Sequence, residues 1–242
     1  MQQQRATISV VLPSYNEREI IAQSVRRVVS VLGDRLLEVI VVDDNSPDRT
    51  WEVVENLHEP RCRLIRRTDE RGLASALSHG TKIAKGDVVV WMDCDLGMPP
   101  EVILELVAKL KTYDIAVGSR YLPGGADTRH KFRAFLSYLF NVYARCFLGR
   151  HFWDWTSGFA AVRREVIAQV PLSPIGYGEY FIEWIYACTQ KHFKITEVPY
   201  RYEPRTTGES KTDSNLWVFL RLSFRYALRV IATRVQLGPL VP

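Results

Sequence analysis

The 242 residues are 47% hydrophobic and 24% charged, the balance of a globular chain with ample apolar material for a core, arranged as one α/β domain or two small ones. A net charge of +5 suits an anionic partner such as a nucleotide, a lipid phosphate or a membrane surface. The basic excess is not gathered into a low-complexity tail, so no nucleic-acid partner is expected.

Ile8 to Leu12 is a short apolar strand stopped by Pro13. Ser14-Tyr15-Asn16-Glu17 then opens a helical pattern in which Ile20, Ile21, Val25, Val28, Val29 and Leu32 recur at helix spacing, with Asn16 as the candidate cap and Gly33 as the stop. Leu37 to Val42 is the second strand. The turn-forming run Asp43-Asp44-Asn45-Ser46-Pro47-Asp48 follows, and Asp48 can cap the helix that carries Trp51, Val54 and Leu57. Arg63 to Arg66 is a third strand, and Gly72-Leu73-Ala74 leads into a small-residue helix ending near Ala84.

Gly86 introduces the apolar run Val88-Val89-Val90-Trp91-Met92, which ends in Asp93-Cys94-Asp95 and is bounded by Pro99-Pro100. Its β-branched content marks a buried strand of a parallel sheet. Asp93 and Asp95 are two residues apart, and in extended backbone such side chains point the same way, so both carboxylates are expected to face one crevice at the carboxyl end of the strand. Two close carboxylates repel one another unless a cation lies between them, and Mg²⁺ or Mn²⁺ is the natural partner. The plainer reading is two solvated loop acids. A helix through Leu110 and a strand from Ile115 to Gly118 complete this half.

Strands alternating with helices at short spacing predict an α/β fold: a mostly parallel sheet with helices on both faces. Asn16-Glu17, Asp43-Asp44 and Asp93/Asp95 would share the rim at the strand ends, where open α/β sheets bind ligands. Neither a G-x-G-x-x-G fingerprint nor a Walker A lysine motif is present. Beyond Gly118 the pattern changes to a long helix, Phe132 to Leu148, then an aromatic turn, Phe152 to Phe159. A helix from about Gly178 to Gln190, a strand from Phe193 to Val198, a polar loop from Glu203 to Ser214 and a last helix, Leu216 to Leu237, follow. Cys62, Cys94, Cys146 and Cys188 lack metal-ligand spacing, and no secretory signal precedes the first strand, so free thiols are expected. No apolar run approaches the roughly 20 residues that span a bilayer, so the chain reads as soluble or peripheral.

Six stretches, taken in order, give the chain a family resemblance. They are Leu12-Pro13-Ser14-Tyr15-Asn16-Glu17, Val41-Val42-Asp43-Asp44-Asn45-Ser46-Pro47-Asp48-Arg49-Thr50, Asp93-Cys94-Asp95-Leu96, Gly118-Ser119-Arg120-Tyr121, Thr156-Ser157-Gly158-Phe159 and Gly208-Glu209-Ser210-Lys211. Together they resemble the family 2 glycosyltransferases, and within them the dolichyl/polyprenyl-phosphate mannose synthases. The resemblance implies a GT-A (Rossmann-like) catalytic domain over residues 1–213, with a nucleotide-sugar half (1–118) and an acceptor half (119–213), and a C-terminal amphipathic helix over 214–242. It implies transfer of a hexose from a nucleotide sugar, GDP-mannose first and UDP-glucose second, to polyprenyl phosphate at the cytoplasmic face of a membrane. Pro13, Tyr15 and Glu17 would border the nucleotide, with Asp43 or Asp44 reaching its base or ribose. Asp93 and Asp95 would hold Mg²⁺ or Mn²⁺ on the diphosphate, Arg120 and Arg133 would bind phosphate near the acceptor, and Arg205 and Lys211 would lie on a closing loop. One departure stands out: the family often places Gln, a further metal ligand, two residues after the second Asp, and here that position is Gly97.

The chemistry is consistent with those roles. Negative charge grows on the leaving diphosphate, and a cation at Asp93 and Asp95, with Arg205 and Lys211, would stabilise it. A polyprenyl phosphate is already ionised near neutral pH and needs placing, not deprotonating. Direct attack on the donor would invert the anomeric centre. Arg120 has a second reading, as the partner of a nearby acid. Asp154, between Trp153 and Trp155, is either a turn-former or the base for a saccharide-hydroxyl acceptor. The two aromatic helices suit a membrane surface, or else burial against the sheet or in an oligomer interface.

Overall fold

The computed structural model describes residues 6–176, 178–203 and 216–238, with 216–225 described by backbone. Among the described residues, nine strands and eight α-helices run in the order β1 (Ile8–Ser14), α1 (Ile21–Leu32), β2 (Leu36–Asp43), α2 (Thr50–Glu55), β3 (Cys62–Arg66), α3 (Leu73–Ile83), β4 (Val88–Trp91), α4 (Glu101–Lys109), β5 (Ile115–Ser119), β6 (Ala126–Asp127), α5 (Lys131–Leu148), β7 (Ala160–Arg163), α6 (Arg164–Gln169), α7 (Glu179–Gln190), β8 (Ile195–Pro199), β9 (Arg201–Tyr202) and α8 (Leu216–Leu237).

Seven strands form one sheet in the order β3-β2-β1-β4-β7-β5-β8. All its pairings are parallel except those of β7, which lies antiparallel between β4 and β5. The fold is therefore the mixed, mostly parallel α/β sheet expected from the alternating pattern. Strand alternation divides the core. Val89 and Trp91 of β4 face a layer containing Leu77, Phe181 and Trp184. Val88, Val90 and Met92 face the layer containing Ile21, Val25, Ile103 and Leu106. Gly86 lets the chain enter β4 against β1, because a Cβ there would lie 2.5 Å from the Ser9 backbone nitrogen.

Three local expectations change. β1 does not stop at Pro13 but runs through it to Ser14, with Pro13 paired to Val42 of β2, because proline removes an N–H donor without preventing extended backbone. α1 begins at Ile21, not beside Asn16, and Asn16 adopts the left-handed conformation (φ 55°) with its N–H donating to Ser46 Oγ at 3.0 Å. Asparagine tolerates that conformation, and here it serves the rim turn and not a helix cap. β4 stops at Trp91, so Asp95 lies in a turn and the shared face cannot come from strand alternation. Elsewhere the cues hold. Gly33 ends α1, its N–H bonding to the Val29 carbonyl. Asp48 stands one residue before the α2 N-cap, Arg49, and from there its carboxylate accepts the N–H of Thr50, the first residue of α2, at 3.0 Å. None of the four cysteines is in a disulfide.

Candidate active site

The carboxyl ends of β1, β2 and β4 form one rim. Ser14 pairs with Asp43, and the Asp44 N–H continues that ladder to the Ser14 carbonyl at 3.1 Å. Val11 pairs with Trp91, so Asp93 emerges beside the Pro13 end of β1. The sequence-derived nucleotide residues Pro13, Tyr15, Glu17, Asp43 and Asp44 and the acids Asp93 and Asp95 are thus brought to neighbouring strand ends.

Asp43 and Asp44 build that rim. Asp43 is fully buried and accepts the N–H and hydroxyl of Ser46 at 2.8 and 2.6 Å, fastening its own turn. Asp44 accepts Arg67 Nε at 2.7 Å and the Gly72 N–H at 2.7 Å, tying the 67–72 segment against β2. Glu17 is buried, and its N–H donates to Thr50 Oγ1 at 2.9 Å. Arg67 and Arg71 escaped the sequence reading. Arg67 is buried in the Asp44 pair, and the Arg71 guanidinium carbon lies 5.2 Å from the Tyr15 ring centre at the rim. The only local sign of either was a basic run, Arg66-Arg67, at the end of a strand.

The acidic loop is held from several sides. Ser24 of α1 donates its hydroxyl to the Cys94 carbonyl at 2.5 Å, and the Asp93 N–H meets Met98 Sδ at 3.3 Å. Asp95 is buried, with Oδ1 accepting the Gly97 N–H at 2.9 Å, and Leu96 takes the left-handed conformation (φ 62°). Among the described residues no group of three or more His, Cys, Asp or Glu side chains could hold a metal. Two carboxylates at the carboxyl rim of the sheet are nevertheless a fitting donor set for Mg²⁺ or Mn²⁺, which keep water and phosphate oxygens as their other ligands.

Beyond β5, Arg120 has the acid its second reading called for. Its Nε and Nη2 donate to Asp154 at 2.8 and 2.7 Å, Nη2 also reaches Thr156 Oγ1 at 2.9 Å, and Asp127 stands 3.7 Å from Nη1. Burial opposes the charge on Arg120, but Asp154 outweighs it and holds the guanidinium firmly protonated. A buried guanidinium bonded to Asp154 and flanked by Asp127 is poorly placed to meet a lipid phosphate, which leaves Arg133, half-buried in the first turn of α5, as the acceptor candidate from the sequence. Asp154 is fully buried and accepts the Thr156 N–H at 3.3 Å as well, the arrangement of a turn-former and not of an exposed base. Its own N–H and that of Trp153 donate to Glu197, whose pKa burial raises. Arg205 and Lys211 lie outside the described residues.

α5 is amphipathic in an unusual sense. Its inner face is tied to this cluster, with Asn141 donating to Thr156 Oγ1 at 3.0 Å and Ser137 accepting the Tyr121 hydroxyl at 2.7 Å. Its outer face leaves Phe132, Phe135, Leu139, Val142 and Phe147 exposed. α8 packs beside it, with Tyr143 donating to the Ala227 carbonyl at 3.1 Å, and exposes Leu228, Ile231 and Val235. No helix among the described residues is long and apolar enough to cross a membrane.

A mostly parallel sheet with an acidic loop at its carboxyl rim defines a GT-A-like fold. A glucosyl-3-phosphoglycerate synthase from Mycobacterium tuberculosis, solved with Mn²⁺, UDP and phosphoglyceric acid, superposes with a TM-score of 0.70 over 97% of this chain and 79% of that one, at 24% identity, which speaks to the fold. The chain belongs to glycosyl transferase family 2, whose sequence profile matches residues 9–170. It is 41% identical over 224 residues to a dolichol-phosphate mannosyltransferase of Pyrococcus furiosus, a match covering 90% of this chain but 63% of that protein. It is 34% identical to a polyprenol monophosphomannose synthase of Mycolicibacterium smegmatis (84% of this chain, 79% of the relative) and 30% identical to an undecaprenyl-phosphate mannosyltransferase of Micrococcus luteus (86% and 88%).

Proposed function

We propose that this chain moves a hexose, mannose from GDP-mannose in the first instance, onto a polyprenyl or dolichyl phosphate at the cytoplasmic face of a membrane. The reading is carried by one juxtaposition: the Asp93–Asp95 loop opens beside the β1–β2 rim, while α5, anchored to the acceptor-side cluster, turns its apolar face outward. The names of the relatives support mannose as the sugar and a polyprenyl or dolichyl phosphate as the acceptor; GDP as the carrier rests on the family resemblance.

The rim made by Pro13, Tyr15, Asp43 and Asp44 orients the nucleoside, with Arg71 adding positive charge at its mouth. Asp93 and Asp95 would hold Mg²⁺ or Mn²⁺ where the diphosphate lies. That ion, when bound, neutralises the charge that grows on the leaving diphosphate. Arg133 positions the lipid phosphate, whose oxygen attacks the anomeric carbon from the side opposite the diphosphate and inverts it. No general base is required, because the acceptor is already an anion. That fits an Asp154 withdrawn into a buried ion pair, and it weakens the alternative of a saccharide hydroxyl as acceptor.

The exposed aromatic and aliphatic side chains of α5 and α8 would enter the headgroup region and bring the site to its lipid substrate. The test is incubation with labelled GDP-mannose or UDP-glucose, Mg²⁺ or Mn²⁺ and a short polyprenyl phosphate. Label entering the organic phase from GDP-mannose supports the proposal, whereas label passing only to a soluble sugar refutes it.

A further inference from the structure

The glycine at position 97 is a matter of space. A Cβ built there would lie 2.5 Å from Tyr202 Cζ and 2.6 Å from the Tyr202 hydroxyl oxygen, far inside van der Waals contact. The ring of Tyr202 therefore fills the volume into which any side chain at 97 would project.

That ring is held firmly. β9 pairs with β6, setting Tyr202 opposite Asp127, and the Tyr202 carbonyl accepts the Thr128 hydroxyl. The N–H of the next residue, Glu203, donates to the Gly97 carbonyl at 3.0 Å, so the strand is stitched to the acidic loop itself. The Arg129 guanidinium carbon lies 5.2 Å from the Tyr202 ring centre, and Arg129 is itself fixed by Asp127. From this position the phenol hydroxyl lies 3.4 Å from Asp95 Oδ2, a long hydrogen bond, while Oδ1 of the same carboxylate accepts the Gly97 N–H at 2.9 Å. The two oxygens of Asp95 are thus addressed by the two residues that share this volume.

We propose that Tyr202 is a positioning residue of the cation and diphosphate site: its phenol occupies the space of a side chain at position 97 and orients the Asp95 carboxylate. The inference rests on Asp95 serving a divalent cation, as proposed above. Tyr202 acts through Asp95 and not on the substrate. An outer hydrogen bond to a ligating carboxylate sets its rotamer and basicity, and removing such a bond typically costs about 10–100-fold in metal affinity. Hydrogen bonds of this kind are often long without ligand and tighten when the site is filled. Gly97 and Tyr202 then form a coupled pair, one ceding the volume that the other uses.

Mn²⁺ binding, followed by electron paramagnetic resonance with GDP present and in parallel with UDP, tests this without turnover. Asp95→Ala is the reference. Tyr202→Phe, which keeps the ring and removes only the hydroxyl, should raise the Mn²⁺ Kd about 10-fold, the lower end for an outer-sphere partner, and leave the metal-free melting temperature unchanged. Gly97→Gln alone should lower the melting temperature through the clash. Combined with Tyr202→Ala it should regain both stability and Mn²⁺ affinity, since glutamine then enters the vacated space. If Asp95→Ala weakens Mn²⁺ binding and Tyr202→Phe does not, the role of Tyr202 is overturned while the metal reading stands. If Asp95→Ala also leaves binding unchanged, both are overturned. A double variant that binds Mn²⁺ no better than Tyr202→Ala would overturn the shared-volume claim.

Discussion

Arg120 and Asp154 face each other in a two-bond pair, and the Arg120 backbone N–H adds a third bond to the same carboxylate at 3.0 Å. The Asp154 side chain is 0% exposed and that of Arg120 5%, so neither charge has water to fall back on. Removing one partner of such a pair costs about 3–5 kcal/mol, because the other is left buried and uncompensated. Asp154→Ala should therefore destabilise the fold by that amount in urea unfolding. An unchanged urea midpoint accompanied by lost turnover would instead make Asp154 a base.

Asp127 links that pair to Arg129, accepting Arg129 Nε at 2.8 Å. Burial raises its pKa, but the bonds and charges of Arg129 and Arg120 outweigh burial and leave it below the usual carboxylate value. A carboxylate with a depressed folded pKa adds stability that is complete above its unfolded pKa, about 3.9, and is lost as pH falls through the folded value. Arg129→Ala should thus move the acid-unfolding midpoint, followed by circular dichroism, to higher pH. The same midpoint in both proteins would count against this linkage.

Arg133 should discriminate between the two substrates. A charge-assisted hydrogen bond to a phosphate is worth about 1.5–3 kcal/mol, or roughly 10- to 150-fold. Arg133→Ala is expected to raise KM for the polyprenyl phosphate by about 10-fold, the low end of that range, and to leave KM for the nucleotide sugar alone. An equal rise in both would argue that Arg133 has no acceptor role.

The outward face of α5 is testable separately from chemistry. Phe135 and Leu139, 56% and 44% exposed, contribute little to the core. Phe135→Glu with Leu139→Glu should change stability by no more than about 0.5 kcal/mol per site. Sedimentation with vesicles of anionic phospholipid should nevertheless fall sharply, because two carboxylates would enter a negatively charged headgroup layer. Retained sedimentation would place the membrane contact elsewhere.

Most of the first half was legible in the linear chain. β1 to β5 and α1 to α4 follow from apolar periodicity and from punctuation at Gly33, Gly86 and Pro99, which are local properties, although β1 runs on through Pro13. β7 was not legible. Four residues, Ala160–Arg163, following an aromatic turn carry too little pattern to announce a strand, still less one that inserts antiparallel between β4 and β5. The site divides along the same line. The residue types of Asp43, Asp44, Asp93 and Asp95 and their order were visible to inspection, because carboxylates closing apolar strands are a local motif. The fate of each charge was not. Arg120 meets an acid 34 positions away, and Asp95 meets a phenol 107 positions away. Periodicity comes from neighbours in the chain, whereas the state of a charged or hydrogen-bonding group is set by whatever distant side chain excludes its water and replaces it. That substitution happens only once the sheet has closed.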